Sequence, residues 1–494
     1  QHPTNRRQRQ MCIRDSLYSS SLTLLTDLYQ LTMAYGYWKM NLHERPAVFH
    51  LFFRKQPFKG QFTIACGLEY VIDFVENFKF TDSDIAYLST LKGTDNQALF
   101  ENDFLLYLKN MHFNCDIAAA REGTIVFPHE PLLRVRGSVL QCQLLETALL
   151  NIINFQSLIA TKAARICRAA KGDTVLEFGL RRSQGIDGGL SASRAAYIGG
   201  CSASSNVLAG KLFDIPVKGT HAHSWVMCFD NELEAFAAYA DAMPHNCVFL
   251  VDTYDTLEGV KNAIKVGKWL RIKGFEMIGI RLDSGDLATL SIQARELLDS
   301  EDFKDAAIIA SNDLDEYKIK ALKQKGALIN VWGVGTNLVT AKDQPALGGV
   351  YKLGAIQDKK GEWQYKIKLS EQAIKISNPG ILQVRRFYNK EKQFVADAIY
   401  NELATNFLSK KIVDEKENIH QLEADNQYDN LLKPIFEAGI LIYKSPTIHQ
   451  IREYVIEQFK RFEDVAIQKG NYITGLEYHL FELKQLLIKN SLLK

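Results

Sequence analysis

"EMIGIRLDSGD", at residues 276–286, is a short apolar run that ends in charged and glycine residues. "CVFLVDTYDT", at residues 247–256, has the same arrangement one step earlier in the chain. Similar runs recur between residues 173 and 340, mostly about 30 residues apart, which is the length of a strand plus a crossover helix. Because these runs are apolar on both faces, they predict a parallel sheet covered by helices.

Amphipathic segments with helix-capping residues separate these runs, as in "DTLEGVKNAIKVGKWLRI" at residues 255–272. Six or more strand–helix units indicate either a (β/α) barrel or a wide doubly wound sheet. In both folds the loops after the carboxyl ends of the strands form the functional site. We therefore expect the polar residues that end the apolar runs to lie together.

The composition is that of an ordinary globular enzyme, with 47% apolar and 23% charged residues. A length of 494 residues predicts two or three domains. The formal net charge of +2 gives no electrostatic argument for nucleic-acid binding. Eight scattered cysteines fit a reducing compartment, and no run reaches the ~20 apolar residues that cross a bilayer. We expect a soluble, cytoplasmic protein.

Changes in pattern along the chain suggest the domain boundaries. Residues 1–16 are rich in arginine and lack apolar periodicity, so we interpret them as a non-native tail that does not join the fold. Residues 17–150 form an N-terminal domain that strands from about 350–400 complete. We expect residues 151–349 to form a catalytic α/β domain, and residues 401–494 to form a mainly helical C-terminal region.

Two histidines in "GTHAHSW", at residues 219–225, have three interpretations. Both rings would point the same way in a strand and could bind one metal ion, but no other histidine ends a neighbouring run. The two rings could also serve packing alone. The third interpretation makes His223 a nucleophile or phosphoryl acceptor, and we favour it because imidazole is suited to that chemistry near neutral pH.

The next apolar runs supply groups that complement His223. Asp252 ends the run that follows in sequence, so we expect its carboxylate to orient the His223 ring. In "IRLDSGD", Arg281 offers a cation for a carboxylate or phosphate. Asp283 and Asp286 offer carboxylates for sugar hydroxyls or Mg²⁺, although this segment could equally be the capped start of a helix.

Two further runs offer groups for a ring and for phosphates. In "FGLRR", Phe178 provides a stacking face, and Arg181 and Arg182 provide anion ligands. The glycine turn "GVGT", at residues 333–336, exposes amides that can hold a phosphate. Each signal has a bland alternative, a surface patch or a simple chain reversal. Together they predict a ligand with phosphates, a sugar, a small planar ring and Mg²⁺, whose protein ligands stay open.

Eight motifs in unbroken order, between about residues 20 and 385, resemble those of the nicotinate phosphoribosyltransferases, a family of type II phosphoribosyltransferases. They are "LLTDLYQLTMAYGYW", "ETALLNIINFQSLIATKAARI", "EFGLRRSQGIDGGLSASRAAYIGG", "SSNVLAGKLFDIPVKGTHAHSW", "VDTYDT", "IRLDSGD", "VWGVGT" and "KLSEQAIKISNPG". The resemblance implies an α/β fold, namely an irregular (β/α) barrel with an N-terminal α/β sandwich domain. It also implies a homodimer with shared active sites.

The resemblance further implies synthesis of nicotinate mononucleotide from nicotinate and phosphoribosyl pyrophosphate in NAD salvage, with ATP as co-substrate and Mg²⁺ as cofactor. His223, and not His221, would carry the phosphoryl group from ATP. Catalytic roles then fall to His223, Asp252 and Asp283. Substrate-binding roles fall to Tyr29 (from the partner subunit), Phe178, Arg181, Ser205, Asn206, Arg281, Gly285, Gly333, Gly335 and Thr336.

Two rival functions remain at this stage. The nicotinamide-using branch of these enzymes resembles this chain but has an aspartate near the position of Asn206, where a carboxylate would repel nicotinate. The asparagine therefore favours the acid as substrate. A catalytically silent relative that binds a pyridine nucleotide is the other rival, and the presence of His223, Asp252, Arg281 and Asp283 argues against it.

Overall fold

The computed structural model describes residues 22–404, 410–423, 426–462 and 472–492. The tail predicted at residues 1–16 lies outside the described residues. The chain divides into two compact units. A terminal unit combines the chain up to Leu158 with the chain from Ala346 onward, and a central unit consists of Ile159–Pro345.

The strands are β1 Pro46–Phe53, β2 Thr63–Ile64, β3 Asp116–Ala120, β4 Ile125–Val126, β5 Leu133–Ser138, β6 Thr174–Glu177, β7 Ala203–Ser204, β8 Val248–Leu250, β9 Gly279–Leu282, β10 Ala307–Ala310, β11 Val331–Val334, β12 Gly349–Gln357, β13 Trp363–Tyr365, β14 Leu382–Tyr388, β15 Phe394–Asn401, β16 Lys411–Val413, β17 Ile419–Gln421, β18 Gln427–Asn430, β19 Leu432–Glu437, β20 Ile440–Leu441 and β21 Ile473–Glu477.

The helices are α1 Leu28–Lys39, α2 Leu68–Glu76, α3 Asp82–Thr90, α4 Asn102–Asn110, α5 Val139–Leu144, α6 Glu146–Ala169, α7 Gly185–Ile198, α8 Val207–Phe213, α9 His223–Met227, α10 Glu232–Ala242, α11 Thr256–Ile272, α12 Leu287–Ser300, α13 Glu316–Gln324, α14 Thr336–Val339, α15 Ile448–Phe462 and α16 Tyr478–Leu492. No helix in the described part of the chain combines the length and apolar character needed to cross a membrane.

The central unit contains the predicted parallel sheet. Its six strands lie in the order β7-β6-β11-β10-β9-β8, and every adjacent pair is parallel. The expected closed barrel is not confirmed, because the edge strands β7 and β8 do not pair with each other in the described structure. The apolar segment 213–217, another of the runs that recur between residues 173 and 340, forms only one bridge, from Val217 to Ser204. Pro216 has no N–H to donate to a sheet ladder.

Aspartates that follow the strands cap the helices of this sheet. The Asp255 side chain accepts a hydrogen bond from the backbone N–H of Glu258 at the start of α11. The Asp315 side chain accepts hydrogen bonds from two backbone N–H groups at the start of α13. Asp286 accepts from the N–H of Ala288 and the hydroxyl of Thr289 at the start of α12. These side chains satisfy helix N–H groups that have no partner within the helix. Asp286 is thus a cap, as the alternative interpretation of its segment held.

The terminal unit contains two larger sheets. One has the order β13-β12-β1-β5-β3-β19-β20, and the other has the order β17-β16-β21-β15-β14-β18. The antiparallel pairing of β1 with β12 and of β3 with β19 joins early and late parts of the chain. Six strands, β16 to β21, lie beyond residue 401 together with α15 and α16. The expectation of a mainly helical C-terminal region is therefore incomplete, since six strands accompany its two helices in the described residues.

Close approach of α11 to the end of β8 predicts a destabilising substitution. A Cβ added at Gly259 would lie 2.1 Å from the backbone oxygen of Val251, which leaves no room for a side chain. We expect Gly259→Ala to lower the free energy of unfolding by about 1–3 kcal/mol. Gly36→Ala, in a helix where a Cβ would meet no atom within 4 Å, is the control and should be neutral or stabilising. Equal effects in denaturant-induced unfolding would contradict this account.

Candidate active site

Polar residues and glycines follow the parallel strands of the central unit, as the sequence predicted. Parallel pairing brings the carboxyl ends of all these strands to one edge of the sheet. The residues at this edge are Phe178 after β6, Ser205 after β7, Asp252 and Thr253 after β8, Asp283 after β9, Ser311 after β10, and Gly335 and Thr336 after β11. In the described residues, no group of three histidine, cysteine or acidic side chains is arranged to hold a metal ion by itself.

His223 is the first residue of the short helix α9 and not the end of a strand. Its Nδ1 lies 3.1 Å from the hydroxyl of Thr253. Its Nε2 lies 3.9 Å from a carboxylate oxygen of Asp283. Both side chains are partly exposed, at 41% for His223 and 37% for Asp283. The ring is therefore held at one nitrogen and remains accessible to a ligand.

Asp252 does not contact the His223 ring, so the expected orienting hydrogen bond is wrong. One oxygen of the Asp252 carboxylate accepts hydrogen bonds from the backbone N–H of Asp283 at 2.9 Å and from the hydroxyl of Ser284 at 2.6 Å. The other oxygen is buried and has no hydrogen-bond partner. Asp252 thus joins the loops after β8 and β9. The next residue, Thr253, reaches the ring because consecutive side chains project in different directions.

His221 has a structural environment, although it stands only two residues from His223. It is buried, and its Nε2 accepts the backbone N–H of Leu250 at 3.2 Å. Its ring packs against Phe236 and Tyr239. Burial lowers the pKa of His221 to about 4, which keeps the ring neutral. The packing interpretation therefore applies to His221 but not to His223.

Arg281 projects from β9 toward the same edge. One guanidinium nitrogen donates to the hydroxyl of Thr220, while Nε is buried without a hydrogen-bond partner. Burial lowers the pKa of the guanidinium, and the charges of Asp283 and Asp252 oppose this shift. Arginine stays protonated at physiological pH even so. The site therefore contains a cation with an unused donor beside two carboxylates.

Phe178 lies against the glycine loop that follows β11. Its backbone N–H donates to the oxygen of Val334 at 2.8 Å. A Cβ at Gly333 would lie 2.7 Å from the Phe178 ring, and one at Gly335 would lie 3.2 Å from the Phe178 backbone oxygen. Gly333 is thus explained by the packing of the aromatic ring, whereas Gly335 and Thr336 lie at the sheet edge, where a ligand can approach.

Asn206 faces the interior and not an open site. Its side chain is 2% exposed and caps α8, where Oδ1 accepts the backbone N–H of Ala209. Its Nδ2 donates to the hydroxyl of Ser193 at 3.2 Å and to the backbone oxygen of Gly189 at 3.4 Å. All of its polar atoms are therefore engaged within the central unit. The adjacent Ser205 is half-buried and closer to the surface.

The remaining predicted residues occupy different places. Arg181 and Arg182 are exposed in a single helical turn at Leu180–Arg182. Gly285 has a φ of 79°, a conformation that favours glycine and allows the turn between β9 and α12. Tyr29 belongs to α1 of the terminal unit, where its side chain is 48% exposed.

Sequence reasoning missed several residues that complete this edge. Ser311 donates its hydroxyl to Asp283, and Thr253 contacts His223. Glu177, the last residue of β6 and the residue before Phe178, has a buried carboxylate. The position of Ser311 after an apolar run was the same signal that identified Asp252 and Asp283. Thr253 and Glu177 carried no separate signal, because their roles depend on contacts across the sheet.

Family models match almost the whole described chain in three consecutive parts. They are the nicotinate phosphoribosyltransferase (NAPRTase) N-terminal domain at residues 24–154, the NAPRTase family at residues 174–376 and the nicotinate phosphoribosyltransferase C-terminal domain at residues 382–471. The chain belongs to the nicotinate phosphoribosyltransferase family. The resemblance found in the eight motifs is thereby confirmed.

Individual relatives agree with this family. The chain is 47% identical to nicotinate phosphoribosyltransferase of Bacillus subtilis, over 88% of this chain and 88% of that protein. It is 40% identical to the Dictyostelium discoideum protein of the same name, over 93% of this chain and 87% of that one. The crystal structure of human nicotinic acid phosphoribosyltransferase is similar with a TM-score of 0.81 and 30% identity, covering 94% of this chain and 99% of that one.

Burial of neutral His221 predicts a pH dependence of stability. Its pKa of about 4 in the folded state lies below the ordinary 6.5, so protons bind the unfolded state more readily. The neutral His221 ring therefore contributes up to about 3 kcal/mol to the free energy of unfolding. This contribution is fully present above about pH 6.5 and is lost as the pH falls toward 4. We expect His221→Gln to reduce the change in melting temperature between pH 6.5 and pH 4. The exposed His245→Gln is the control, and an equal flattening there would contradict this assignment.

Proposed function

We propose that this chain transfers the phosphoribosyl group of phosphoribosyl pyrophosphate to the ring nitrogen of nicotinate, giving nicotinate mononucleotide and pyrophosphate in NAD salvage. ATP is hydrolysed in the same cycle through a phosphohistidine at His223. The observation that carries this proposal is the accessible His223 ring, held between Thr253 and Asp283 at the edge that also presents Arg281 and Phe178. Family membership supports the same activity.

Nicotinate binding is assigned to Phe178 and Arg281. The Phe178 ring offers an aromatic face for the pyridine ring, and its backbone is fixed to β11. The buried Nε of Arg281 has no hydrogen-bond partner within the protein. A substrate carboxylate would satisfy this donor by a charge-assisted hydrogen bond. The same contact neutralises the negative charge that nicotinate brings into a site rich in phosphate.

The phosphoribosyl group is assigned to the loops after β9 and β11. Asp283 accepts a hydrogen bond from the hydroxyl of Ser311. Its carboxylate is still partly exposed, which suits it to binding ribose hydroxyls. Gly335 and Thr336 offer backbone amides to the 5-phosphate, and Arg181 offers a cation to the pyrophosphate. Catalysis then consists of holding the ribose carbon and the ring nitrogen in line and neutralising charge on the leaving group.

Mg²⁺ fits the donor set at this edge. The carboxylates of Asp252 and Asp283 are hard oxygen ligands, and one oxygen of Asp252 has no hydrogen-bond partner. The ion usually binds through one or two carboxylates together with substrate phosphates, so a cage of three protein ligands is not required. When bound, Mg²⁺ would neutralise the pyrophosphate leaving group.

A phosphohistidine gives the ATP step a direct coupling to substrate binding. Transfer of the terminal phosphoryl group to His223 adds negative charge beside Asp283 and changes the interactions of the neighbouring loops. If the resulting state binds phosphoribosyl pyrophosphate more tightly, hydrolysis of the phosphohistidine after turnover resets the enzyme.

A homodimer with shared sites completes the proposal. The exposed apolar side chains on and near α1 include Leu25, Leu28, Tyr29 and Met33. Exposed apolar side chains grouped on one helix suit burial against another subunit. Tyr29 of one subunit would then supply a second aromatic face to the pyridine ring bound by the other.

The phosphohistidine assignment predicts a sharp difference between two neighbouring histidines. His223→Ala should abolish covalent labelling by ATP carrying a labelled terminal phosphate, and it should also abolish stimulation of product formation by ATP. His221→Gln keeps a neutral acceptor near Leu250 and should retain labelling. Acid-labile phosphate measured on the intact protein distinguishes the two variants. Labelling that survives in His223→Ala would refute the assignment.

Arg281 should determine recognition of the acid. We expect Arg281→Gln to raise KM for nicotinate by about 10–100-fold, since a hydrogen bond to a charged group contributes about 1.5–3 kcal/mol. The change for nicotinamide should be much smaller, because the amide carries no charge. Arg271→Gln, which removes a half-buried arginine paired with Glu276, is the control. Product analysis with both substrates also tests the nicotinamide-using alternative, which would require nicotinamide to be the better substrate of the unaltered protein.

A further inference from the structure

A buried carboxylate beneath the Phe178 loop has no part in the function described above. The side chain of Glu177 is 1% exposed. Its Oε1 accepts the backbone N–H of Gly179 at 2.5 Å. Its Oε2 accepts the hydroxyls of Ser193 at 2.9 Å and Ser204 at 2.6 Å. No lysine, arginine or histidine of the described chain forms an ion pair with it, so three hydrogen bonds alone compensate this carboxylate.

The three donors come from three different elements. Gly179 belongs to the turn after β6 and immediately follows Phe178. Ser193 lies in α7, and Ser204 ends β7 just before Ser205. One carboxylate therefore connects the turn that carries the aromatic face with the strand end beside it. Buried polar networks with every member satisfied hold a single geometry, because each broken bond would leave an unsatisfied polar group.

Asn206 also belongs to this network, because each serine hydroxyl has only one proton to donate. The hydroxyl proton of Ser204 is committed to Glu177, so its oxygen accepts the backbone N–H of Asn206 at 2.9 Å. The hydroxyl proton of Ser193 is donated to Glu177, since a carboxylate is a stronger acceptor than the backbone oxygen of Gly189 at the same distance. Since a hydroxyl has one proton, Ser193 must accept from Nδ2 of Asn206. The network therefore requires a hydrogen-bond donor in the side chain at position 206.

We propose that Glu177 is a positioning residue for substrate selection, because it fixes the turn that carries Phe178 and requires a donor, and hence not a carboxylate, at position 206. This inference rests on the proposed stacking of the pyridine ring on Phe178. Glu177 makes no contact with substrate in this scheme. It acts through the Gly179 turn, and through Ser193 and Ser204.

The first test replaces the acceptor by an isosteric amide. Glu177→Gln replaces one acceptor oxygen by an NH₂ group. Because the three neighbouring groups all donate to Glu177, at least one of the three hydrogen bonds must break. We expect KM for nicotinate to rise by about tenfold or more, since hydrogen bonds to charged groups are the stronger ones. The labelling of His223 by ATP should change by no more than about twofold, a difference close to the scatter of measured effects.

Glu316→Gln is the matched control, because it makes the same change at another buried carboxylate of the central unit. Glu316 pairs with Lys162 at 2.7 Å and Arg165 at 2.9 Å. It should lower the melting temperature without changing the relative KM values. If Glu177→Gln behaves like this control, the proposal is overturned. Ser204→Ala, which removes one donor and keeps the carboxylate, gives the same test at smaller amplitude if Glu177→Gln does not fold.

A double-mutant cycle tests the link to position 206. Asn206→Asp alone places a second carboxylate beside Ser193, so it should lower the melting temperature and kcat/KM for nicotinate. Combined with Glu177→Gln, which supplies a donor of its own, the aspartate should be tolerated. The double variant should therefore melt at a higher temperature than Asn206→Asp alone. Strictly additive effects in this cycle would also overturn the proposal.

Phe178→Ala separates failure of this inference from failure of the proposed ring site. If Phe178→Ala leaves KM for nicotinate unchanged, the proposed stacking is wrong, and the inference falls with it. If Phe178→Ala raises KM for nicotinate and Glu177→Gln does not, only the positioning role of Glu177 is refuted. A rise in both variants, with unchanged labelling of His223, supports the proposal.

Discussion

The parallel hydrogen bonding of the central sheet is the constraint on which the candidate site depends. Each strand from β6 to β11 pairs in parallel with its neighbour, so all their carboxyl ends meet at one edge. Backbone bonds fix this register, and the helices between the strands return the chain to the opposite edge each time. Residues separated by more than 150 positions in sequence, such as Phe178 and Gly335, become neighbours for this reason.

Aspartates at this edge serve three different purposes, and their hydrogen-bond partners distinguish them. Asp255, Asp286 and Asp315 cap helices. Asp252 is buried and clamps the loop after β9. Asp283 is partly exposed beside His223, which leaves its carboxylate available to a ligand. The same residue type therefore supplies local stability at several positions and an accessible carboxylate at one.

The two histidines of "GTHAHSW" show how burial divides the roles of chemically identical groups. His221 is enclosed by aromatic rings and accepts a backbone N–H, so it is held neutral and contributes to folding. His223 stands at the first turn of α9 with its ring partly open to solvent. A buried imidazole is costly to charge, whereas an accessible one can exchange protons and accept groups.

The sequence by itself determined the parallel α/β core, the family and most of the residues at the sheet edge. Apolar runs that end in polar residues are a local signal, and the runs were read correctly at β6, β8, β9, β10 and β11. The sequence did not determine the open sheet, because closure depends on whether β7 and β8 meet, which no local pattern records. It also did not reveal the strands beyond residue 401, among which β19 and β21 pair with β3 and β15, far away in the chain.

Only the tertiary structure decided which neighbour each polar side chain finds. Asp252 was expected to hold the His223 ring because the two segments are consecutive, yet Thr253 makes that contact. Asn206 was expected at the substrate, yet it caps α8 and completes the network of Glu177. A residue's place at the end of a strand follows from its position in the sequence. The direction of its side chain follows from packing and from which donors and acceptors lie within about 3 Å, and those come from distant segments.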